Sequence, residues 1–394
     1  MSIIIYLIYQ NNNFEKRDIQ NINRKNILKI MQGHNYYIPL QIYINYLKDC
    51  IKLKNYNNKI RHINKYPFLS ICLSAYNIEK YIEKSILSVL NQSFRNYEII
   101  IVNDFSQDNT NNIIKRLQKE DIRIKIINHN KNFGTYRSRI DGILNSKGKY
   151  ILFLDPDDLF LNPILFEILY YYTIFYNMDI LEFTVYHSTE ENKKIYYPEE
   201  QIYNHNHSFN KRFIYQPELS NILYYDPQTK NYSSIICRVL WNKLFRKDIL
   251  LKTFKYIGFE YYKNYYIIII EDTLMNILNF QFANNYTNIN LPGYLYNIRQ
   301  FSISHTIKNK KDLIIKSINV YLYLKIFLKY IQDFEKDRNF FYYELKDLYT
   351  YLRNFKTYNI KEYALKTKLM LLDILNDKKS TKEIRHFIKN YLIY

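Results

Sequence analysis

Three carboxylates fall within four residues: Asp155, Asp157 and Asp158, with Pro156 between the first two. Acids this close repel one another, which is costly without a cation among them. A hard divalent ion, Mg²⁺ or Mn²⁺, takes such oxygen ligands and also holds phosphate. The alternative is an acidic strand-to-helix turn in which an aspartate caps the helix. Other acids stand at similar junctions, Asp104 and Asp108 in one turn and the Glu271-Asp272 pair in another.

The elements around these acids explain why they gather. Tyr150 to Leu154 is an unbroken apolar run of strand length, the pattern of a strand buried on both faces of a parallel sheet. Pro156 has no N–H for a ladder, so the strand stops before it. Phe68 to Leu73 and Glu98 to Val102 read as two further buried strands, and the alternating Ile122, Ile124 and Ile126 as a third, nearer an edge. Between the first two, Ile78, Tyr81, Ile82, Ile86, Val89 and Leu90 share a helical face, and Asn77 is placed to cap that helix. A helix carrying Ile113, Ile114 and Leu117 follows Asp104 and Asp108. A glycine turn and helix span Asn132 to Ile143, with Gly148 as its stop. Strand and helix thus alternate, which predicts βαβ units and a parallel sheet. Right-handed crossovers bring the turns after each strand to one edge, where open α/β sheets bind ligands. Beyond the acids, the pattern predicts a helix over Ile164 to Tyr176 and strands over Asp179 to Tyr186 and Leu291 to Arg299.

Composition narrows the class. The chain has 394 residues, a net charge of +19 and 44 tyrosines, but 6 glycines. Gly134, Gly142 and Gly148 lie in one fifteen-residue window, so each marks a tight turn or close backbone approach. Lysine is spread along the chain, and no zinc, helix-turn-helix or RNA-platform pattern supports a nucleic-acid partner. Cys50, Cys72 and Cys237 have no paired spacing, which favours a reducing compartment. The apolar start, Ile3 to Tyr9, has neither a basic region before it nor a small-residue cleavage site, and no run is long enough to span a membrane. His205-Asn206-His207 has no partner ligands and is not read as a metal site.

Four motifs, in order, carry a resemblance. They are Ser74-Ala75-Tyr76-Asn77, then Val102 to Thr110 with Asp104 and Asp108, then Asn132-Phe133-Gly134 with Arg139 and Gly142, and then Gly148 to Asp158. With Trp241-Asn242-Lys243-Leu244-Phe245 and Glu271-Asp272, the stretch from Pro67 to Arg299 resembles the family 2 glycosyltransferases of GT-A fold. Phe105 stands where that family usually has Gly. The resemblance implies an α/β, GT-A type, mainly parallel sheet flanked by helices. It implies a transferase domain over 66–305, with an acceptor-side excursion at 188–232. A lead-in occupies 1–65 and a helical extension 306–394.

The resemblance also implies roles. Ala75, Tyr76, Asn77 and Asp104 line the base pocket, with Asp104 on a uracil; Arg139, Asp155 and Pro156 support the nucleotide. Asp155 and Asp157 hold Mn²⁺ or Mg²⁺. Asp158, Glu271 and Trp241 face the donor sugar. Asp272 is the general base. Three bland alternatives stand beside these: a turn aspartate for Asp104, a core residue for Trp241, and the cap of a helix from Thr273 for Asp272. The implied reaction moves a sugar, with inversion, from a nucleotide-sugar donor (a UDP-sugar) to a glycan or lipid-linked acceptor in cell-surface polysaccharide synthesis. The implied place is the cytoplasm, with peripheral contact at the inner face of the membrane. The other reading is a non-catalytic nucleotide- or glycan-binding relative of the same fold.

Overall fold

The computed structural model describes residues 66–189, 239–257 and 271–299, with short pieces between 195 and 234 and scattered helical residues between 318 and 389. The expected lead-in over 1–65, His205-Asn206-His207, the Ile267 to Ile270 run and most of the expected extension over 306–394 lie outside the described residues.

The first half alternates as the sequence predicts. It runs β1 (Leu69–Ala75), α1 (Ile82–Leu90), β2 (Tyr97–Asn103), α2 (Thr110–Glu120), β3 (Ile124–Asn128), α3 (Thr135–Asn145) and β4 (Tyr150–Phe153). The turn after β4 leads to β5 (Leu159–Phe160), α4 (Leu165–Tyr176) and β6 (Ile180–Thr189). Four short strands follow: β7 (Ile195–Tyr196), β8 (Phe213–Tyr215), β9 (Leu223–Asp226) and β10 (Asn231–Ser234). Then come β11 (Lys243–Arg246), α5 (Lys247–Ile257), α6 (Glu271–Phe282) and β12 (Asn285–Ile298).

One ten-stranded sheet has the order β3-β2-β1-β4-β11-β6-β12-β5, with β7 on β6 and β8 on β12. Its β3-β2-β1-β4 half is parallel, and β11 runs antiparallel between β4 and β6. All residues of β2 and β4 are buried, as two-sided strands must be. The first β-strands give the sheet its core through Leu69, Ile71, Ile99, Ile101, Ile151 and Leu152.

Several boundaries differ from the sequence reading, each for a local reason. The first helix begins at Ile82, not after Asn77: Asn77 has left-handed backbone, and its side-chain oxygen accepts from the Gln107 N–H and not from a helix N–H. Strand β3 begins at Ile124, because Asp121 folds back on the N–H and guanidinium of Arg123 and leaves Ile122 exposed. Helix α3 ends at Asn145, so Gly148 does not stop it. Gly148 instead lies against β1, where a Cβ would come 2.6 Å from the Ser70 nitrogen. Strand β12 is longer than Leu291 to Arg299 and absorbs Pro292 through a register shift against β6.

Candidate active site

Strand β4 ends before Pro156, and the acid turn follows at the carboxyl edge of the parallel half-sheet. Strand β12 holds that turn from the far side. Pairing of Tyr294 with Phe160 and of Leu295 with Leu159 brings β12 alongside β5. The Tyr294 hydroxyl accepts from the Asp155 N–H at 3.1 Å and donates to Asp158 Oδ2 at 2.9 Å. The Asn297 N–H donates to Asp158 Oδ1 at 2.8 Å, and its side-chain amide donates to the Asp157 carbonyl at 2.6 Å.

Asp158 is therefore fully buried with both oxygens engaged. Asp158, expected beside the donor sugar, anchors the turn to β12. Burial, then the charges of Asp157 and Asp155, push its carboxyl well above the usual range. Asp157 pairs with Arg299, whose guanidinium also lies 5.0 Å from the Tyr81 ring centre. Burial and the Asp155 charge still push Asp157 up to about 6, against the pull of Arg299.

The first two acids of the turn fit a cation. Asp155 and Asp157 offer hard carboxylate oxygens, the donor set of Mg²⁺ or Mn²⁺, and a positive charge would relieve their repulsion. Among the described residues, no three His, Cys, Asp or Glu side chains form a closed cage. A bound ion would complete its shell from phosphate and water, as Mg²⁺ does in nucleotide sites.

The chemistry of the site converges on Arg139. Helix α3 lies close to the sheet because Gly142 faces Cys72 and Val102 where a Cβ would be tight at 3.3 Å. One turn earlier on that helix, Arg139 is buried at the strand ends. Its guanidinium donates to Asp155 Oδ1 at 2.9 Å and pairs through its other nitrogen with Asp272 Oδ1. Asp272 sits in the first turn of α6, and its second oxygen takes a long 3.4 Å bond from the Leu240 N–H. From that first turn its carboxylate reaches Arg139 and, through it, Asp155. The Glu271 side chain lies outside the described residues.

Trp241 was expected on the sugar side or in the core. It is buried, stacked on Tyr294 at 4.5 Å and on Tyr296 at 5.4 Å between ring centres. The structure assigns it to the core, behind the acid turn.

The loops after β1 and β2 form one unit. The Ala75 carbonyl accepts from the Asp104 N–H, and the Asn77 carboxamide accepts from the Gln107 N–H at 2.8 Å. In return, the Asn77, Ile78 and Glu79 N–H groups donate to Ser106, Thr110 and Asp108 side chains. Asp108 is thus a latch between loops. Asn77 and Phe105 both have left-handed backbone, φ 47° and 66°. Tyr76 and Phe105 are exposed, at 46% and 44%.

Asp104 is buried, and its two oxygens accept from the Phe133 and Gly134 N–H groups at 2.8 Å each. It therefore shapes the glycine turn before α3, where Gly134 has φ 89°. His129 bridges Asp104 at 2.7 Å and Asp141 at 3.0 Å. Burial alone would lower the His129 pKa, but the hydrogen bonds and charges of both aspartates push it up to about 9.

Sequence reasoning missed Tyr294, Asn297 and His129. The tyrosine-rich, asparagine-rich composition hides individual members of both types, and His129 lies one residue past β3 with no motif around it.

Comparisons with known proteins point to glycosyltransferases. Residues 70–254 match the family model for Glycosyl transferase family 2. Over 236 residues the chain is 27% identical to the glycosyltransferase GlyA of Streptococcus pneumoniae, which covers 60% of this chain and 31% of that protein. It is 38% identical over 93 residues to the GalNAc(5)-diNAcBac-PP-undecaprenol beta-1,3-glucosyltransferase of Campylobacter jejuni, covering 23% of this chain and 30% of that one. The chain spans less than a third of either curated relative. A crystal structure of S. aureus TarS 1-349 in complex with UDP-GlcNAc shares the fold, with TM-score 0.56 at 16% identity, covering 82% of this chain and 88% of that one.

Proposed function

From the premise that residues 70–254 form a family 2 glycosyltransferase domain on a GT-A fold, we propose that this protein transfers a sugar from a nucleoside-diphosphate sugar, a UDP-sugar, with inversion. The acceptor is a glycan or lipid-linked saccharide in surface-polysaccharide or glycoconjugate synthesis. The observation that carries this reading is the convergence of Asp155 and Asp272 on one buried guanidinium. It brings an acid of the β4 turn and an acid of α6 to one site from positions more than a hundred residues apart.

The chain's own groups divide the work. Asp155 and Asp157 would hold Mn²⁺ or Mg²⁺. When bound, that ion stabilises charge on the departing diphosphate as a Lewis acid. Asp272 takes the proton from the acceptor hydroxyl as it attacks, through the oxygen that has only a long bond to Leu240. Arg139 orients Asp272 and Asp155 relative to each other. Tyr76, with Ala75 and Asn77, lines the base pocket, and Asp104 supports that pocket from beneath by fixing the turn at Gly134.

No helix among the described residues is long and apolar enough to cross a membrane. The net charge of +19 supports peripheral contact with an anionic inner leaflet, where a lipid-linked acceptor is presented. The test is a panel of nucleotide sugars with Mn²⁺, scored for nucleoside diphosphate release by wild type, Asp157→Ala and Asp272→Asn. Release by wild type alone supports the reading. Nucleotide binding without release by any of the three, across a panel of acceptors, favours a non-catalytic relative.

A further inference from the structure

Phe105 is an anomaly on two counts. A bulky residue in left-handed backbone is rare, and an apolar ring left in water gains nothing from the fold. Glycine would adopt this backbone freely. Strained residues persist only where the surrounding structure holds them, and they gather at ligand sites.

The surroundings do hold it. Its neighbour Ser106 receives the Asn77 N–H, and Gln107 is bonded to both the Asn77 carboxamide and the Phe105 carbonyl. Asn103 caps the same turn by accepting from the Ser106 N–H at 3.2 Å. This bracing fixes Phe105 to the loop that carries Tyr76, at the ends of two adjacent parallel strands paired Ala75 to Asn103. Two exposed aromatic residues thus stand on neighbouring, hydrogen-bonded loops at the carboxyl edge of the sheet.

We propose that the Phe105 ring is a stacking face for the nucleobase of the donor, paired with Tyr76. The inference rests on the nucleotide-sugar reading above and deepens it. A nucleobase offers a flat π-face whatever its identity, so stacking adds affinity with little base selectivity. Choice among bases falls to the polar groups of the two laced loops, and Phe105 sets how tightly the chosen base is held.

The test is calorimetric titration of the full chain with UDP, CDP, GDP and pyrophosphate, in Mn²⁺, for wild type, Phe105→Gly and Phe105→Tyr. Phe105→Gly relieves the backbone and removes the ring, so it keeps the fold. Its affinity for the best-bound nucleotide is expected to fall about tenfold or more. Phe105→Tyr is expected to stay within about twofold, because the π-face remains. Pyrophosphate, which has no base, is expected to bind all three alike. Equal nucleotide affinity in wild type and Phe105→Gly overturns the inference and leaves the nucleotide-sugar reading standing. An equal loss of pyrophosphate affinity also overturns it, because the ring would then act through loop shape. Failure of wild type to bind any of the three nucleotides removes both readings.

Discussion

A positioned base contributes about 10² to 10⁴ in rate. Asp272→Asn keeps the shape and loses the carboxylate proposed as proton acceptor. Its kcat is expected to fall by about that factor while nucleotide affinity, measured by titration, stays near wild type. Arg139 makes a sharper case, because it holds Asp155 and Asp272 with two different nitrogens. A lysine is a single point charge and cannot span both carboxylates. Arg139→Lys is therefore expected to lower kcat at least tenfold while far-ultraviolet dichroism stays that of the folded protein; wild-type kcat in this variant would remove the bridging role. Both residues are legible in the motifs. Their meeting is not, since it depends on α6 lying beside Val239 to Asn242, where Asn276 donates to the Val239 carbonyl at 3.0 Å.

At the scale of elements, the site depends on close approaches. Gly148 lets the start of β4 lie on β1, its N–H donating to the Ser70 hydroxyl at 2.8 Å. A Cβ there would meet backbone at 2.6 and 2.7 Å, which cannot yield as a side chain can. Gly148→Ala is expected to destabilise the domain by about 1–3 kcal/mol in denaturant titration. The pairing of β11 with β6 sets a second dependence. Lys243 lies directly opposite Glu182, and the two form a buried ion pair at 3.1 Å. Lys243→Met leaves Glu182 charged and buried, a loss of about 3–5 kcal/mol. Adding Glu182→Leu is expected to restore most of it, since no buried charge then remains. Glycine spacing signalled the first dependence in the sequence. Nothing signalled the second, because cross-strand partners 61 positions apart have no local pattern.

For the whole molecule, His129 ties the fold to pH. It joins Asp104 after β2 to Asp141 on α3, and Asp141 is also held by Arg137 at 2.6 Å. Its pKa is raised to about 9 from about 6.5. The folded state therefore binds the proton more tightly than the unfolded chain. This stabilisation is fully present below about pH 6.5 and is lost as pH rises through about 9, an amount on the order of 3 kcal/mol. Thermal unfolding across pH 6 to 10 is expected to show this decline in wild type and a flatter profile in His129→Gln. Asp104 also holds the Gly134 turn, so the pH effect reaches the start of α3.

Period and punctuation determined much of this protein in advance. Buried strands read as apolar runs, helices as spaced faces, and acid turns as breaks after strands, so the βαβ half and the line of its acids followed from residue order alone. Motif resemblance added the family and named Arg139, Asp155, Asp157 and Asp272. Tertiary structure decided what each acid is bonded to: Asp155 and Asp157 pair with the arginines Arg139 and Arg299. Asp158, Asp108 and Asp104 look equivalent to Asp155 and Asp157 along the chain, yet the first three are bound into turns. Trp241 likewise lies beneath β12 tyrosines and not at the surface. The physical reason is common to all four. Whether a polar group is spent on the fold or left for a ligand depends on donors and rings brought from distant strands, and only packing places those.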